Sequence, residues 1–303
     1  MTGRGWLLFA AMAVIWGIPY LLIKVAVAEL TPATLVLLRT TLGAALLVPI
    51  ALARGDIGPL LQQWRPLLAY TFVEVAAPWG LLADAERRLS SSLAGLLIAG
   101  VPLVGAVLLW LTGGDDRPDA RRVVGLVIGF VGVALLVGLD VATDDLLAVG
   151  EVALVVVGYS IGPMIVARKL SGVPPVGVVA ASLVLTAVVY APVGLTQLPH
   201  ALPSTPVLLA LVVLGVVCTA IAFVVFFALI AEVGPNRATI ITYFNPAVAL
   251  VLGVALLAEP FTIGIGLGFT LIALGSFVAT RRSGSNSRAG MRATTGALRP
   301  PDP

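Results

Sequence analysis

Lys24, Arg39, Glu74 and Glu151 fall within or at the edge of long apolar stretches, where a charge is costly and usually functional. At 1.5 Å per helical residue, Arg39 is expected about 9 Å below the outer end of its helix. Glu74 is expected about 12 Å above the inner end of its own, close to mid-bilayer. Desolvation there disfavours the charged carboxylate, as a proton-carrying group requires. A static ion pair with Arg39 and a contact with a substrate amine are alternative roles for Glu74. Lys24 can snorkel to the outer interface, and Glu151 suits the positive start of a helix.

Prolines form the second set. Pro19, Pro102, Pro163 and Pro246 sit inside apolar stretches. There each removes an N–H and displaces the carbonyl four residues earlier, at Ile15, Ile98, Tyr159 and Thr242. In hydrocarbon such carbonyls must face protein, water or a ligand, so the four together suggest a polar cavity. Trp16, Tyr20, Trp79, Tyr159, Tyr243 and Asn245 lie near those prolines and are candidate lining groups. Trp6, Trp64 and Trp110 suit interface anchors. Enzyme chemistry finds little support. His200 falls in a loop, no carboxylate pair shares a span, and no Gly-Lys-Ser/Thr phosphate loop exists. No cofactor or metal is expected.

The elements that must hold these residues follow from composition. Of 303 residues, 59% are hydrophobic and only 11% charged, against about 25% charged in soluble domains. That excludes a soluble enzyme or a nucleic-acid binder. Continuous apolar runs of about 20 residues argue for helices rather than a barrel. The reading is an all-α integral membrane protein of ten transmembrane helices, at about 6–28, 33–53, 66–83, 90–111, 122–139, 147–167, 175–196, 207–230, 237–257 and 261–280. The first run is too long for the apolar core of a signal peptide, so a permanent span is expected. With the N-terminus inside, fourteen of the 18 Lys and Arg fall on the cytoplasmic side. Both termini are therefore expected in the cytoplasm, in a multi-pass plasma (inner) membrane protein. The polar tail 281–303 lacks aromatic residues and is expected to be disordered.

Sliding the chain along itself aligns Pro19 with Pro163, Pro102 with Pro246 and Lys24 with Arg168 at an offset of 144. At 143, Pro32 meets Pro175, Pro49 meets Pro192, Gly125 meets Gly268 and Gly132 meets Gly275. Residues 1–140 and 141–280 then form two five-helix repeats. Five is odd, so the copies are inverted, an arrangement that points to a secondary transporter. Gly125 with Gly129, Gly158 with Gly162, and Gly264 with Gly268 are pairs that permit close helix approach.

Trp16-Gly17-Ile18-Pro19-Tyr20 followed by Lys24 resembles the first helix of the drug/metabolite transporter (DMT) superfamily, EamA type. Gly234-Pro235-Asn236-Arg237-Ala238, Asn245-Pro246-Ala247-Val248-Ala249 and Glu259 resemble its ninth helix region, with Pro102 and Asp115-Asp116 a weaker first-half copy. The resemblance covers about residues 6–280 and implies efflux of a small metabolite, amino acid or drug. Asp115, where the first-half copy often has Glu, and Glu74 depart from the usual pattern. The expected partners are a small-molecule substrate, the lipid bilayer and protons as coupling ion, with no nucleic acid; a monomer and a homodimer both stay open. A lipid flippase and a non-transporting scaffold subunit are the alternative functions.

Overall fold

A computed structural model describes residues 1–112, 120–140, 145–234 and 238–280. The Asp115-Asp116 pair, Pro235-Asn236-Arg237 and the tail lie outside the described residues. Among the described residues, ten helices are long and apolar enough to cross a membrane. They are α1 (Gly3–Ala26), α2 (Pro32–Ala53), α3 (Trp64–Ala85), α4 (Ser91–Leu111), α5 (Ala120–Leu139), α6 (Leu146–Lys169), α7 (Pro175–Thr196), α8 (Thr205–Val233), α9 (Ile240–Leu257) and α10 (Ile263–Thr280). The chain is a multi-pass membrane protein, and each expected span lies within a few residues of an observed one.

The starts are set by local chemistry. The hydroxyls of Thr2, Thr31, Ser90 and Thr262 accept from main-chain N–H groups of the turns they open. Pro32, Pro175 and Pro206 occupy first-turn positions where no N–H is needed. Two ends of the bundle are defined by contacts between distant chain segments. At the basal end, where α1 begins, Thr2 donates to Glu232 and Arg168 donates to Thr112. At the apical end Arg88 pairs with Glu151 at 2.7 Å, and the Glu29 carboxylate accepts from Ser204 N–H at 2.8 Å. Hydrogen bonding from the Ser204 side chain, and then from its main-chain N–H, holds the Glu29 carboxyl below its ordinary range. Glu151 lies in the second turn of α6, past the first turn where the helix dipole acts, and its structural place is held by the ion pair with Arg88.

Packing pairs the two halves. α2 lies along α7, α5 along α10, and α4 against α9. The α5–α10 seam is made of glycine. A methyl on Gly125 would meet Gly275 O at 2.8 Å, and one on Gly132 would meet Gly268 O at 2.9 Å. The four glycines that align in sequence at an offset of 143 therefore all lie in this seam, crossed so that each faces the counterpart of the other pair. Gly158 and Gly162 of α6 admit α3 in the same way, with Val73 O and the Glu74 carboxyl against them. These small residues are used in packing within the chain.

α3 and α8 each contain a π-helical segment, Thr71–Ala76 and Val213–Ile221. The carbonyls freed there find side chains: Tyr190 Oη donates to Ala76 O at 2.9 Å, and Thr219 Oγ1 donates to Leu214 O at 2.7 Å. Apart from glycines, Ala258 is the one described residue at positive φ, 53°. This left-handed residue ends α9 and turns the next residue, Glu259, toward α4.

Candidate functional site

A cavity of about 1540 Å³ runs through the bundle, and every one of the ten helices contributes to its wall. At the basal end its lining includes Trp110, Arg122, Leu170, Pro175, Ile240 and Thr280. At the other extreme it stops at Ile23 and Leu82, short of the apical loops. The cavity therefore extends to one end of the molecule only. Trp110, expected as an interface anchor, is half-exposed and also lines the basal mouth.

The four prolines all line this cavity, and they act in two ways. α1 is interrupted between Ile15 and Pro19, α4 between Ile98 and Val101, and α9 just before Asn245. Pro19, Pro102 and Pro246 each occupy the first turn of the segment that follows. Their missing N–H groups fall where a helix start would leave them unsatisfied anyway. Pro163 differs, lying inside a helix that continues from Leu146 to Lys169. The polar groups exposed by the breaks are met by side chains. Ser160 Oγ donates to Val101 O at 3.1 Å. With its amide nitrogen as donor, Asn245 bonds Ile241 O at 3.0 Å and Ala13 O at 3.2 Å, tying the break in α1 to that in α9.

Arg39 is 7% exposed and sits at the cavity wall. Its guanidinium carbon lies 3.7 Å from the centroid of the Trp79 ring, and Nε donates to Thr219 Oγ1 at 3.1 Å. Thr219 belongs to the π-helical segment of α8, so that irregular turn delivers the hydroxyl that orients the guanidinium. Stacking on an indole leaves the in-plane N–H donors of the two terminal guanidinium nitrogens directed away from the ring and able to meet a ligand.

Glu74 lies in the π-helical segment of α3 and also faces the cavity. Its Oε2 is buried against Gly162 with no hydrogen-bond partner. Among the described residues no ion pair joins Glu74 to Arg39, so the static pair is not the arrangement here. The cation is held by an indole and a hydroxyl, and the acid by the glycine face of α6.

Aromatic rings form the rest of the wall. Trp16 packs against Phe223 and Phe226, with centroids 5.8 and 4.7 Å apart, and Phe227 adjoins both phenylalanines. Tyr20 and Tyr159 line the deeper part. Tyr243 reaches back to α10, with its hydroxyl 2.9 Å from Thr280 Oγ1. All twelve residues selected from the sequence as cavity candidates line this one space. The phenylalanines at 223, 226 and 227 were missed; their helical spacing on one face of α8 was the available signal. Tyr70 and Cys218 also line the cavity, and no sequence feature marked them.

Comparison with known proteins agrees with this architecture. A profile of the EamA-like transporter family matches residues 3–138 and again 147–281. The chain is 27% identical over 273 residues to the uncharacterized transporter YvbV of Bacillus subtilis, covering 88% of each chain. It is 28% identical over 262 residues to the uncharacterized inner membrane transporter YedA of Escherichia coli K12, covering 82% of this chain and 81% of that one. One crystal structure superposes with a TM-score of 0.66 at 23% identity, covering 92% of this chain and 98% of the other, a likeness of fold.

Proposed function

Because the chain belongs to the EamA-like transporter family, we propose that it is a secondary active exporter of a small amphipathic metabolite, amino acid or drug, driven by protons through Glu74. The observation that carries this reading is the one-ended cavity, with aromatic walls and, among the described residues, the acid Glu74 and the guanidinium of Arg39 at its core and Arg122 at its mouth. Its volume exceeds the roughly 300–1,000 Å³ of an ordinary ligand pocket, as suits a vestibule that is open to solvent at one end. The Trp16–Phe223–Phe226 surface would take the apolar body of the cargo. Arg39 would take an anionic or carbonyl group, assisted by the helix starts at Pro19 and Pro246, whose dipoles favour negative charge.

Alternating access requires two arrangements of similar energy. Support for the inverted repeat comes from the pairing of α2 with α7 and α5 with α10, and from the π-helical segments in corresponding helices α3 and α8. We take residues 1–140 and 141–280 as its two copies. The basal end carries most of the Lys and Arg, so the positive-inside rule makes it cytoplasmic and the observed cavity inward-facing.

The test is a counterflow screen in proteoliposomes across amino acids, nucleosides and cationic drugs, followed by Glu74→Gln. The variant keeps size and hydrogen bonding but cannot titrate. Accumulation driven by a pH gradient should vanish while counterflow persists. Gradient-driven accumulation in Glu74→Gln equal to that of the parent would refute the coupling role.

A further inference from the structure

At the apical end of the bundle, beside the Arg88–Glu151 pair, two charged side chains seize the loop joining α3 to α4 and the first turn of α4. From α1, Lys24 Nζ donates to Glu86 O at 2.7 Å and to Leu89 O at 2.8 Å. From beyond α9, the Glu259 carboxylate accepts from Ser91 N–H at 2.7 Å and Ser92 N–H at 2.9 Å. This latch spans the first and second halves of the chain, on the far side of the membrane from the cavity mouth.

Inside the latch lies Glu86. Its side chain is 0% exposed, and neither carboxyl oxygen has a hydrogen-bond partner. Ser91 Oγ, also buried, is likewise unpartnered. The titratable and charged groups within electrostatic reach of Glu86 are Lys24 and Tyr20 of α1, Arg39 of α2, Tyr159 of α6 and Glu259. Lys24 is nearest in effect, yet its ammonium is spent on main-chain carbonyls rather than on the carboxylate. An ionised carboxylate without a hydrogen bond or a counter-ion is strongly disfavoured in such a place. Burial accordingly pushes the Glu86 carboxyl well above the usual carboxylate range, with Lys24 opposing and Glu259 reinforcing the change.

We propose that Glu86 is a proton-binding site that works the apical latch: protonated while Lys24 holds the loop, and ionised when the latch releases. This rests on the transporter reading, because release of the latch is the apical half of alternating access. In the step itself the carboxyl O–H bond breaks and the proton passes to water at the apical face. The resulting carboxylate then draws Lys24 Nζ away from Glu86 O and Leu89 O. Those two carbonyls are left to water, and α1 loses its hold on the start of α4. The site is separate from Glu74, which lies within the cavity, whereas Glu86 does not line it.

Hydrogen exchange of the full chain in lipid nanodiscs, corrected for the intrinsic pH dependence of amide exchange, reads the latch without any cargo. Protection of the amides from 86 to 93 should fall about tenfold per pH unit between the open-state and closed-state pKa of one carboxyl, and be flat outside that window. Glu86→Gln should hold protection at its low-pH value throughout. Lys24→Met should give low protection with no pH dependence, and it serves alone if Glu86→Gln fails to fold. A flat profile in the parent, a slope that survives in Glu86→Gln or Lys24→Met, or a slope abolished by Glu74→Gln instead, would overturn the proposal. Failure of every counterflow assay alongside an intact titration would count against transport and leave the proton site standing.

Discussion

Gly162→Ala probes the placement of Glu74 directly. A methyl there would overlap the Glu74 carboxyl oxygen, lie 2.8 Å from its Cδ and 3.0 Å from its Cβ. The first two contacts can be relieved by rotating the side chain, but the Cβ contact moves only with the backbone of α3. Overpacking of this kind costs about 1–3 kcal/mol. Replacing a mid-helix glycine with alanine returns about 1 kcal/mol of helix propensity. The expected net loss is therefore about 0–2 kcal/mol, read as the midpoint of unfolding in mixed micelles titrated with a denaturing detergent. In a Glu74→Gly background all three contacts, that with Cβ included, are gone, so Gly162→Ala should become neutral or stabilising. The coupling between the two sites should then equal the overpacking cost, about 1–3 kcal/mol. Sites that do not touch add within about 0.3–0.5 kcal/mol. Additivity within that margin would refute the claim that the carboxyl rests on the glycine face of α6. The same variant should lose gradient-driven accumulation disproportionately, because the carboxyl must swing out of its socket.

Arg39→Lys keeps the charge but loses the planar stack on Trp79 and the Nε bond to Thr219, so counterflow should fall at least tenfold with little loss of folded protein; Thr219→Ala should reproduce a smaller part of that fall. Pro19→Ala should impair transport more than membrane expression, since it mends the break in α1 that exposes Ala13 O to Asn245; equal loss of both would make the proline a folding element only. Asn245→Leu leaves that carbonyl buried and unpaired, at a cost of about 1–3 kcal/mol in the unfolding assay. Reporter tags on both termini should read as cytoplasmic, and a periplasmic N-terminus would reverse the direction in which the observed cavity faces.

The ten spans were legible because continuous apolar runs and short turns leave no other solution in a bilayer. Cavity residues were legible for a related reason. Proline, an indole or a carboxyl in hydrocarbon needs a partner, so Pro19, Trp16 and Glu74 drew attention by their cost. What the sequence concealed has no such cost signature. Nothing in Thr71–Ala76 or Val213–Ile221 marks a π-helical turn: the carbonyl freed in the first is met by Tyr190, remote in sequence, and that in the second by Thr219, a hydroxyl like any other in an apolar span. Three of the four prolines, read from the sequence as displacing a carbonyl within a helix, instead begin new helical segments on the cavity wall, a distinction that depends on where the preceding turn ends. Glu86 escaped notice because it sits beside Arg87 and Arg88 in a loop that reads as solvated. Only the fold reveals that its side chain turns inward while its neighbours reach Asp84 and Glu151.

The two ends of the bundle differ in the kind of contact that would have to break for the cavity to change sides. Apical closure depends on a few charged groups: Lys24 and Glu259 grip main-chain atoms of the α3–α4 loop and the first turn of α4, Arg88 pairs with Glu151, and Glu29 holds Ser204 N–H. Such contacts are directional and respond to a change of one proton. The seams that join the halves, α2 with α7 and α5 with α10, are glycine-lined and apolar in character. Close-packed seams of that kind tolerate sliding and rocking poorly by small increments, so motion is expected to concentrate elsewhere. The interrupted helices supply the places: the breaks at Ile15–Pro19, Ile98–Val101 and before Asn245 all lie on the cavity wall. Hinges of a few element-terminal residues can absorb large changes in backbone angle. The Asn245 amide bridges two of these breaks, so bending of α1 and α9 must occur together or sever that link. A mechanism follows in which the seams stay intact, the latch is set by protonation, and the cavity-lining halves of α1, α4 and α9 move as a set.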